Sequence, residues 1–237
     1  MSPRASKPRA AKAPVAPLDP EHVLRATYAL DRAYVRRLND HVVHSGTAEM
    51  LVVSPATGQP VGSVSTSTAA DVAVAFDVAR DAARTWAETS FEEREQLLMR
   101  LHDLILDRQD EIMDLICWES GKARIHAFDE PLHVALTARY YARTLHKHLG
   151  PKRRDGVVPF LTRIDEHRTP KGVVAIISPW NYPFTMAMVD GLAAPAAGNP
   201  VVAKPDHHTP PRAPPGAERP REARLPPGGG QGSGGAG

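Results

Sequence analysis

An asparagine at position 181 stands between two prolines, Pro179 and Pro183, shortly after the apolar run 172–177. Each proline disfavours helical geometry in the residue before it, so the chain is predicted to leave the run as a stiff loop. An asparagine fixed there presents an amide N–H donor that can stabilise negative charge on a carbonyl oxygen under nucleophilic attack. Alternatively, Asn181 only caps the following helix and Trp180 only packs.

A second set of polar residues follows a second apolar run. The runs 172–177 and 201–203 flank the segment 183–197, which is predicted to be a helix. The β-branched composition of the first run predicts a strand buried on both faces. Strand, helix and strand form a right-handed parallel βαβ unit, in which ligands gather at the carboxyl ends of the strands. One end carries residues 178–181 and the other carries residues 204–207.

The elements that precede this unit are predicted from turn and periodicity signals. Residues 50–65 read as strand, turn and strand, which predicts a hairpin. A helix is predicted over about 124–148, because Gly150 and Pro151 form a usual stop signal. Residues 157–168 show no helical stripe.

Two further helices are predicted from their first residues. Thr68 with Asp71, and Ser90 with Glu93, have the spacing of a capping box. The apolar face that follows the second box is continuous over 97–116, which indicates one long helix.

Composition limits the class of protein. The chain has 237 residues, is 42% hydrophobic and carries a net charge of +2, which is typical of a folded water-soluble domain. No apolar run approaches the roughly 20 residues that cross a bilayer, and no secretory stretch is present, so a cytoplasmic location and no membrane partner are expected. The single cysteine, Cys117, excludes a multi-cysteine metal site, and we expect no metal.

The two termini differ in composition from the rest. Residues 1–18 are basic and rich in Pro and Ala, and residues 211–237 are almost wholly Pro, Arg, Ala and Gly, so both are predicted to be disordered. Neither terminus combines folded basic surface with aromatic residues, so no nucleic-acid partner is expected. Residues 19–210 are predicted to form the folded domain.

The stretches GVVAIISPWNYPF and AAGNPVVAKPDHHTP resemble the aldehyde dehydrogenase family, and most closely its succinate-semialdehyde dehydrogenases. The resemblance runs from about Met50 to Pro210, with weaker support from LICWESGKAR. It implies an α/β fold, the N-terminal part of an aldehyde dehydrogenase-like fold, with helices and a partial Rossmann-like parallel sheet. Residues 19–210 would be a partial dinucleotide-binding domain of this type. The implied activity is NAD(P)-dependent oxidation of an aldehyde to a carboxylic acid, with succinate semialdehyde as the expected substrate.

The resemblance also implies a role for each residue of the first loop. Asn181 would be the oxyanion donor. Trp180 and the backbone from Ile177 through Ser178 and Pro179 would line the nicotinamide side of the cofactor channel.

The second strand end would hold the adenosine side of the cofactor. The resemblance places Lys204 at the adenosine ribose, with Pro205 and Asp206 beside it, and the lysine charge also suits a phosphate on that ribose. Many NAD-preferring relatives carry an acid three residues after this lysine, where this chain has His207. NADP is therefore expected over NAD, with NAD possible, although His207 could equally be an exposed loop residue.

Aldehyde oxidation of this kind also needs a thiolate and a base. The family supplies its cysteine and glutamate downstream of where this chain ends. Cys117 lies on an apolar helix face and is expected to behave as a small hydrophobe. Glu119 and Glu166 do not match the family's glutamate segment.

The chain alone is therefore expected to be an inactive, truncated form of the enzyme. The alternative is a non-catalytic remnant that binds dinucleotide or docks to other subunits, since full-length relatives are homo-oligomers. Arg163 and Arg168 could face a substrate carboxylate, but arginines in a strand-and-loop region are more often solvated or paired.

Overall fold

The computed structural model describes residues 43–46, 48–58, 60–158, 161–206 and 231–232. The predicted disorder of residues 1–18 and the role given to His207 lie outside these residues. So does nearly all of the segment 211–237.

The predicted hairpin is confirmed. Strand β1 (Glu49–Val53) pairs antiparallel with strand β2 (Pro60–Ser65), with Met50 opposite Val64.

Both predicted capping boxes are confirmed at the starts of helices α1 (Ala69–Ala87) and α2 (Phe91–Asp107). At the first, the Thr68 hydroxyl accepts from the Asp71 N–H, and the Asp71 carboxylate accepts from the Thr68 N–H at 2.7 Å. At the second, Ser90 and Glu93 make the same reciprocal pair. Each box satisfies N–H groups that a helix start would otherwise leave unpaired.

The apolar face over 97–116 belongs to two helices, so the prediction of one long helix is wrong. Helix α2 ends at Asp107, and helix α3 (Gln109–Ser120) follows after Arg108, whose φ of −108° and ψ of 17° are not helical. The Arg108 guanidinium pairs with Glu111 in the first turn of α3. The break lets both apolar faces contribute to one core, as the shared cluster shows.

The predicted helix over 124–148 is also interrupted. It consists of α4 (Arg124–Ala127) and α5 (Asp129–Leu149), which ends before Gly150 as expected. The physical reason is Pro131, which has no N–H and would clash with the preceding turn of a continuous helix. Pro131 is tolerated in the first turn of α5, where N–H groups lack intrahelical partners anyway.

Helix α5 lies at the centre of the main core. It packs against α2 and against helix α6 (Pro183–Ala196). Small residues on α5 allow close approach of these helices. The buried residues of α5 in this core are Val134, Ala135, Ala138, Ala142 and Leu145.

A charged hairpin follows α5. Strand β3 (Lys152–Asp155) pairs antiparallel with strand β4 (Arg163–Glu166), in the region where the sequence indicated only the absence of a helical stripe.

The βαβ unit is confirmed. Strand β5 (Val174–Ile177) leads through α6 to strand β6 (Val201–Lys204), and the two strands are parallel, with Ile177 opposite Lys204. Ile176 packs with residues of α6 and β6.

The prediction that the first strand is buried on both faces is wrong, because Ala175 and Ile177 are exposed. Within the described sheet the strand order is β5–β6–β7, which makes β5 an edge strand. Helix α6 covers one face, whereas on the other face α1 packs against β6 through Ala75, Ala79 and Val202. The outer residues of β5 therefore have no covering element among the residues described.

Two residues of the segment 211–237 are described, and they form a short strand. Strand β7 (Gln231–Gly232) pairs parallel with β6, opposite Val202 and Ala203. The physical reason is that the second edge of β6 carries N–H and C=O groups that need partners, and backbone pairing makes little demand on side chains.

The capping box of α1 leads to a prediction about acid stability. Hydrogen bonds from the Thr68 backbone, and then from Ser45, lower the pKa of Asp71 to about 2, against ~3.9 in an unfolded chain. The stabilisation is complete above pH ~4 and is lost as the pH falls through about 2. We expect Asp71→Asn to be less stable than the parent at neutral pH, with the difference shrinking over this interval in thermal unfolding followed by circular dichroism.

Asp77→Asn is the matched control, because Asp77 is exposed on the same helix and forms only a surface ion pair with Arg80. A stability difference for Asp71→Asn that stays constant between pH ~4 and ~2 would contradict the assignment.

Candidate functional site

The ends of β5 and β6 are joined beyond the strands themselves. The Ser178 N–H donates to the Lys204 carbonyl at 3.1 Å. This hydrogen bond extends the parallel pairing by one residue past Ile177. It brings the loop 178–182 and the residues that follow Lys204 to the edge of the sheet that is formed by the carboxyl ends of its strands.

The loop presents two side chains outward. Trp180 is 56% exposed, so it does not simply pack. Asn181 is exposed too, and its side-chain amide makes no hydrogen bond within the described part of the chain. The N-cap residue of helix α6 is Tyr182, which makes no side-chain cap hydrogen bond, so the alternative in which Asn181 caps this helix is wrong.

The residues of the second strand end differ in exposure. Lys204 is partly exposed, and among the described residues its ammonium group forms no ion pair. Pro205 is buried, and Asp206 is partly exposed. The lysine charge thus remains available at the edge where the Asn181 amide is displayed.

A buried carboxylate binds the first turn of α6, which directly follows the loop 178–182. Glu130, in the first turn of α5, is 0% exposed. One carboxylate oxygen accepts from the N–H groups of Phe184 and Thr185, at 3.0 Å each. These two groups belong to the first turn of α6, where the helix dipole favours a negative charge. Glu130 therefore caps α6 from another helix.

Lys122 connects this carboxylate to the loop. Its ammonium forms an ion pair with the second oxygen of Glu130 and donates to the Asn181 carbonyl at 3.0 Å. It also lies 4.0 Å from the centre of the Tyr182 ring, a cation–π contact. The backbone of Asn181 is thus fixed while its side-chain amide stays free.

The sequence alone did not identify this support. Lys122 lies in the LICWESGKAR stretch, which carried only a weak resemblance. Glu130 has the appearance of an ordinary acid in a helix first turn, and only the packing of α5 against α6 shows what it contacts.

The residues considered as nucleophile or base lie in the packed helices or in the ion-paired hairpin. Cys117 lies on α3 and packs against the main core. Burial raises the pKa of its thiol, and the charge of Lys122 offsets only part of this. Glu119 is buried on the same helix, and Glu166 lies in the hairpin between Arg154 and Arg168.

The two arginines considered for substrate binding are both ion-paired. Arg163 contacts Asp165 at 2.9 Å, and Arg168 contacts Glu166 at 2.7 Å. Both lie in or next to the β3–β4 hairpin.

Two further features are absent from the described part of the chain. No helix there is long and apolar enough to cross a membrane. Among the same residues, no three His, Cys, Asp or Glu side chains are grouped as metal ligands would be.

The fold and the site together define an α/β unit in which parallel strand ends display an amide donor and a lysine. Open α/β sheets bind nucleotide-type ligands at edges of this kind. The chain belongs to the aldehyde dehydrogenase family, because the sequence profile of that family matches residues 42–230.

Two curated relatives illustrate the sequence similarity. Over 154 residues the chain is 44% identical to a Mycolicibacterium smegmatis protein named "Putative succinate-semialdehyde dehydrogenase", with NADP(+) in its name. Over 158 residues it is 37% identical to the vanillin dehydrogenase of an Amycolatopsis species. The matches cover 65% and 67% of this chain but only 30% and 32% of the relatives. The matched part thus spans about a third of their length.

Solved structures confirm the fold. An Escherichia coli NADP-dependent enzyme superimposes with a TM-score of 0.74 at 30% identity, covering 80% of this chain and 39% of that one. PnpE in complex with nicotinamide adenine dinucleotide gives 0.73 at 29% identity, over 80% and 39% of the two chains.

The support beneath the loop leads to a stability prediction. Glu130→Gln keeps the size of the side chain but leaves Lys122 without its buried partner. Because breaking a buried ion pair is strongly destabilising, we expect the free energy of unfolding to fall by about 3–5 kcal/mol in urea titrations. Asp81→Asn, which removes an exposed pair with Arg84, is expected to cost less than about 1 kcal/mol. Equal losses for the two variants would contradict the role of Glu130.

The position of Cys117 leads to a reactivity prediction. A raised pKa leaves little thiolate near neutral pH, so we expect alkylation by iodoacetamide to be slower in the folded chain than in the same chain in urea. The rate should still be rising above pH ~8.5, the usual value for a free thiol. As the only cysteine, Cys117 can be followed by mass spectrometry without ambiguity. Faster alkylation of the folded chain would show an activated thiol instead.

Proposed function

We propose that the described residues provide the cofactor side and the oxyanion donor for NADP-dependent oxidation of an aldehyde to a carboxylic acid. The observation that supports this most is the hydrogen bond from Ser178 to Lys204, which brings the Asn181 loop and the lysine to one sheet edge. Family membership supplies the reaction class.

Asn181 would donate its amide N–H to the substrate carbonyl oxygen. Negative charge develops on that oxygen as the tetrahedral intermediate forms, so a donor held in place stabilises the transition state more than the ground state. The fixed backbone and unpaired side chain of Asn181 support this role. Trp180 and the backbone of residues 177–179 would line the nicotinamide side, and the bound nicotinamide would accept the hydride.

Lys204 would contact the adenosine ribose and its 2′-phosphate, with Pro205, Asp206 and His207 beside it. The available charge of the lysine favours NADP. The names of the M. smegmatis relative and of the E. coli neighbour give NADP as well. NAD would be the second choice, since the solved neighbour PnpE holds that cofactor.

The substrate we propose is a short carboxylated aldehyde such as succinate semialdehyde. The name of the M. smegmatis relative supports this choice, whereas the Amycolatopsis relative is named for vanillin. Arg163 and Arg168 do not help to decide, because both are paired with acids.

A complete reaction also needs a thiolate nucleophile and a base. We propose that neither comes from the described residues, because Cys117 is held in the core and Glu166 is ion-paired. We therefore expect no turnover from the chain alone. We also propose a cytoplasmic location for this chain and homo-oligomers for its longer relatives. For this polypeptide by itself the second candidate is a non-catalytic module that binds dinucleotide or docks to other subunits, which the packing of Cys117 against the core favours.

Fluorescence titration with NADP tests the proposed site. We expect saturable quenching that is lost in Trp180→Phe, because Trp86 and Trp118 are buried while Trp180 is exposed. Lys204→Gln should weaken NADP binding about tenfold or more, since it removes a charge-assisted contact. Lys147→Gln, an exposed lysine on α5, is the matched control and should change binding little. The absence of saturation, or equal weakening by both variants, would reject the cofactor site.

A further inference from the structure

A cavity of about 570 Å³ lies at the edge of the sheet opposite to the candidate site. It is found next to the amino ends of β5 and β6, whereas Asn181 and Lys204 follow their carboxyl ends. Its volume falls in the range of small-molecule sites. The polar residues that matter for its chemistry are Ser90, Arg94, Arg168, Lys171 and Asn199.

Arg94 lines the cavity and, among the residues that the structure describes, is a buried cation without an acidic partner. It is 5% exposed, and within the described part of the chain it forms no ion pair. One terminal nitrogen donates to the carbonyl groups of Trp86 and Ala87, at 3.2 and 3.0 Å. The Nε atom is buried and has no hydrogen-bond partner among the described residues. Burial also lowers the pKa of Arg94.

An unpaired buried charge and an unsatisfied donor are both costly. The guanidinium carbon also lies 5.9 and 5.8 Å from the centres of the Trp86 and Phe91 rings. These rings and the carbonyl groups of Trp86 and Ala87 satisfy only part of the guanidinium and carry no full negative charge. An oxyanion in the cavity would supply the missing charge, because guanidinium groups bind carboxylate and phosphate oxygens well.

Further positive charge surrounds the mouth of the cavity. Lys171 is exposed, and in the part of the chain that the structure describes its ammonium group has no ion pair. Arg168 contacts Glu166, but this carboxylate also pairs with Arg154. One acid thus faces two guanidinium groups, which leaves a net positive charge on that side.

The backbone beneath Lys171 is held in place. The buried Asn199 accepts through its side-chain oxygen from the N–H groups of Lys171 and Gly172, at 2.6 and 2.9 Å. These hydrogen bonds tie the start of β5 to the turn that precedes β6. The backbone of Lys171 is therefore attached to the sheet and does not belong to a free loop.

We propose that this cavity binds a small organic oxyanion, with the buried Arg94 in its lining and Arg168 and Lys171 at its mouth. The ligand chemistry is that of a phosphate ester or a polycarboxylate. The proposal goes beyond the oxidation proposed above, since it assigns a ligand to the amino-end edge of the sheet.

Isothermal titration of the chain with inorganic pyrophosphate, and separately with citrate, tests the proposal and distinguishes the two chemistries. We expect one saturable site for at least one probe. The double variant Arg168→Gln with Lys171→Gln should weaken binding about tenfold or more, since it removes two charge-assisted contacts. The test uses these exposed residues because Arg94 also binds backbone carbonyl groups, so its replacement would disturb the fold.

The matched control is Lys147→Gln with Arg153→Gln, which removes the same charge from exposed positions that do not line the cavity. Affinity within about twofold of the parent is expected for it, because neither residue lines the cavity and exposed charges are screened by salt. No saturation with either probe, or equal weakening by both double variants, would overturn the proposal.

A further variant separates this cavity from the NADP site. Pyrophosphate binding should survive Lys204→Gln, because the two sites lie at opposite strand ends. Loss of oxyanion binding in Lys204→Gln would assign the ligand to the nucleotide edge and overturn the inference. Failure of NADP to bind, with pyrophosphate still bound, would count only against the proposed oxidation.

Discussion

The carboxylate of Glu130 fixes the position of the loop 178–182. Its two oxygens face different partners, the first-turn N–H groups of α6 and the ammonium group of Lys122. Because Lys122 also binds the Asn181 carbonyl, a single buried charge pair joins α5, α6 and the loop. Burying such a pair carries a large desolvation cost, which the fixed hydrogen bonds offset. The position of the Asn181 loop thus depends on a helix more than 50 residues earlier in the chain.

The same βαβ unit offers two chemically different edges. At the carboxyl ends of its strands an amide and a lysine stand next to exposed apolar groups, which suits a dinucleotide. At the amino ends a buried arginine has an exposed lysine above it, which suits a compact anion. Parallel strands produce this division, since all their carboxyl ends meet at one edge and all their amino ends at the other.

Local signals predicted the individual elements well. The capping boxes at Thr68 and Ser90 were found from spacing alone, because their hydrogen bonds join residues three apart. The breaks at Arg108 and Phe128 were missed, since the apolar periodicity continues through both. The break at Arg108 is decided by how two faces share one core, and periodicity does not carry that information. The break at Phe128 has a local cause in Pro131, which the periodicity does not register.

The sequence by itself determined the family, the parallel βαβ unit and the residues at its strand ends, because prolines and β-branched runs act on the chain locally. Only the tertiary structure decided what supports Asn181, which face of β5 is covered and where Arg94 points. Those features depend on contacts between residues far apart in sequence, such as Glu130 with Thr185 and Trp86 with Pro195. Whether such groups are buried, and therefore how strongly their charges act, is fixed only when the helices pack.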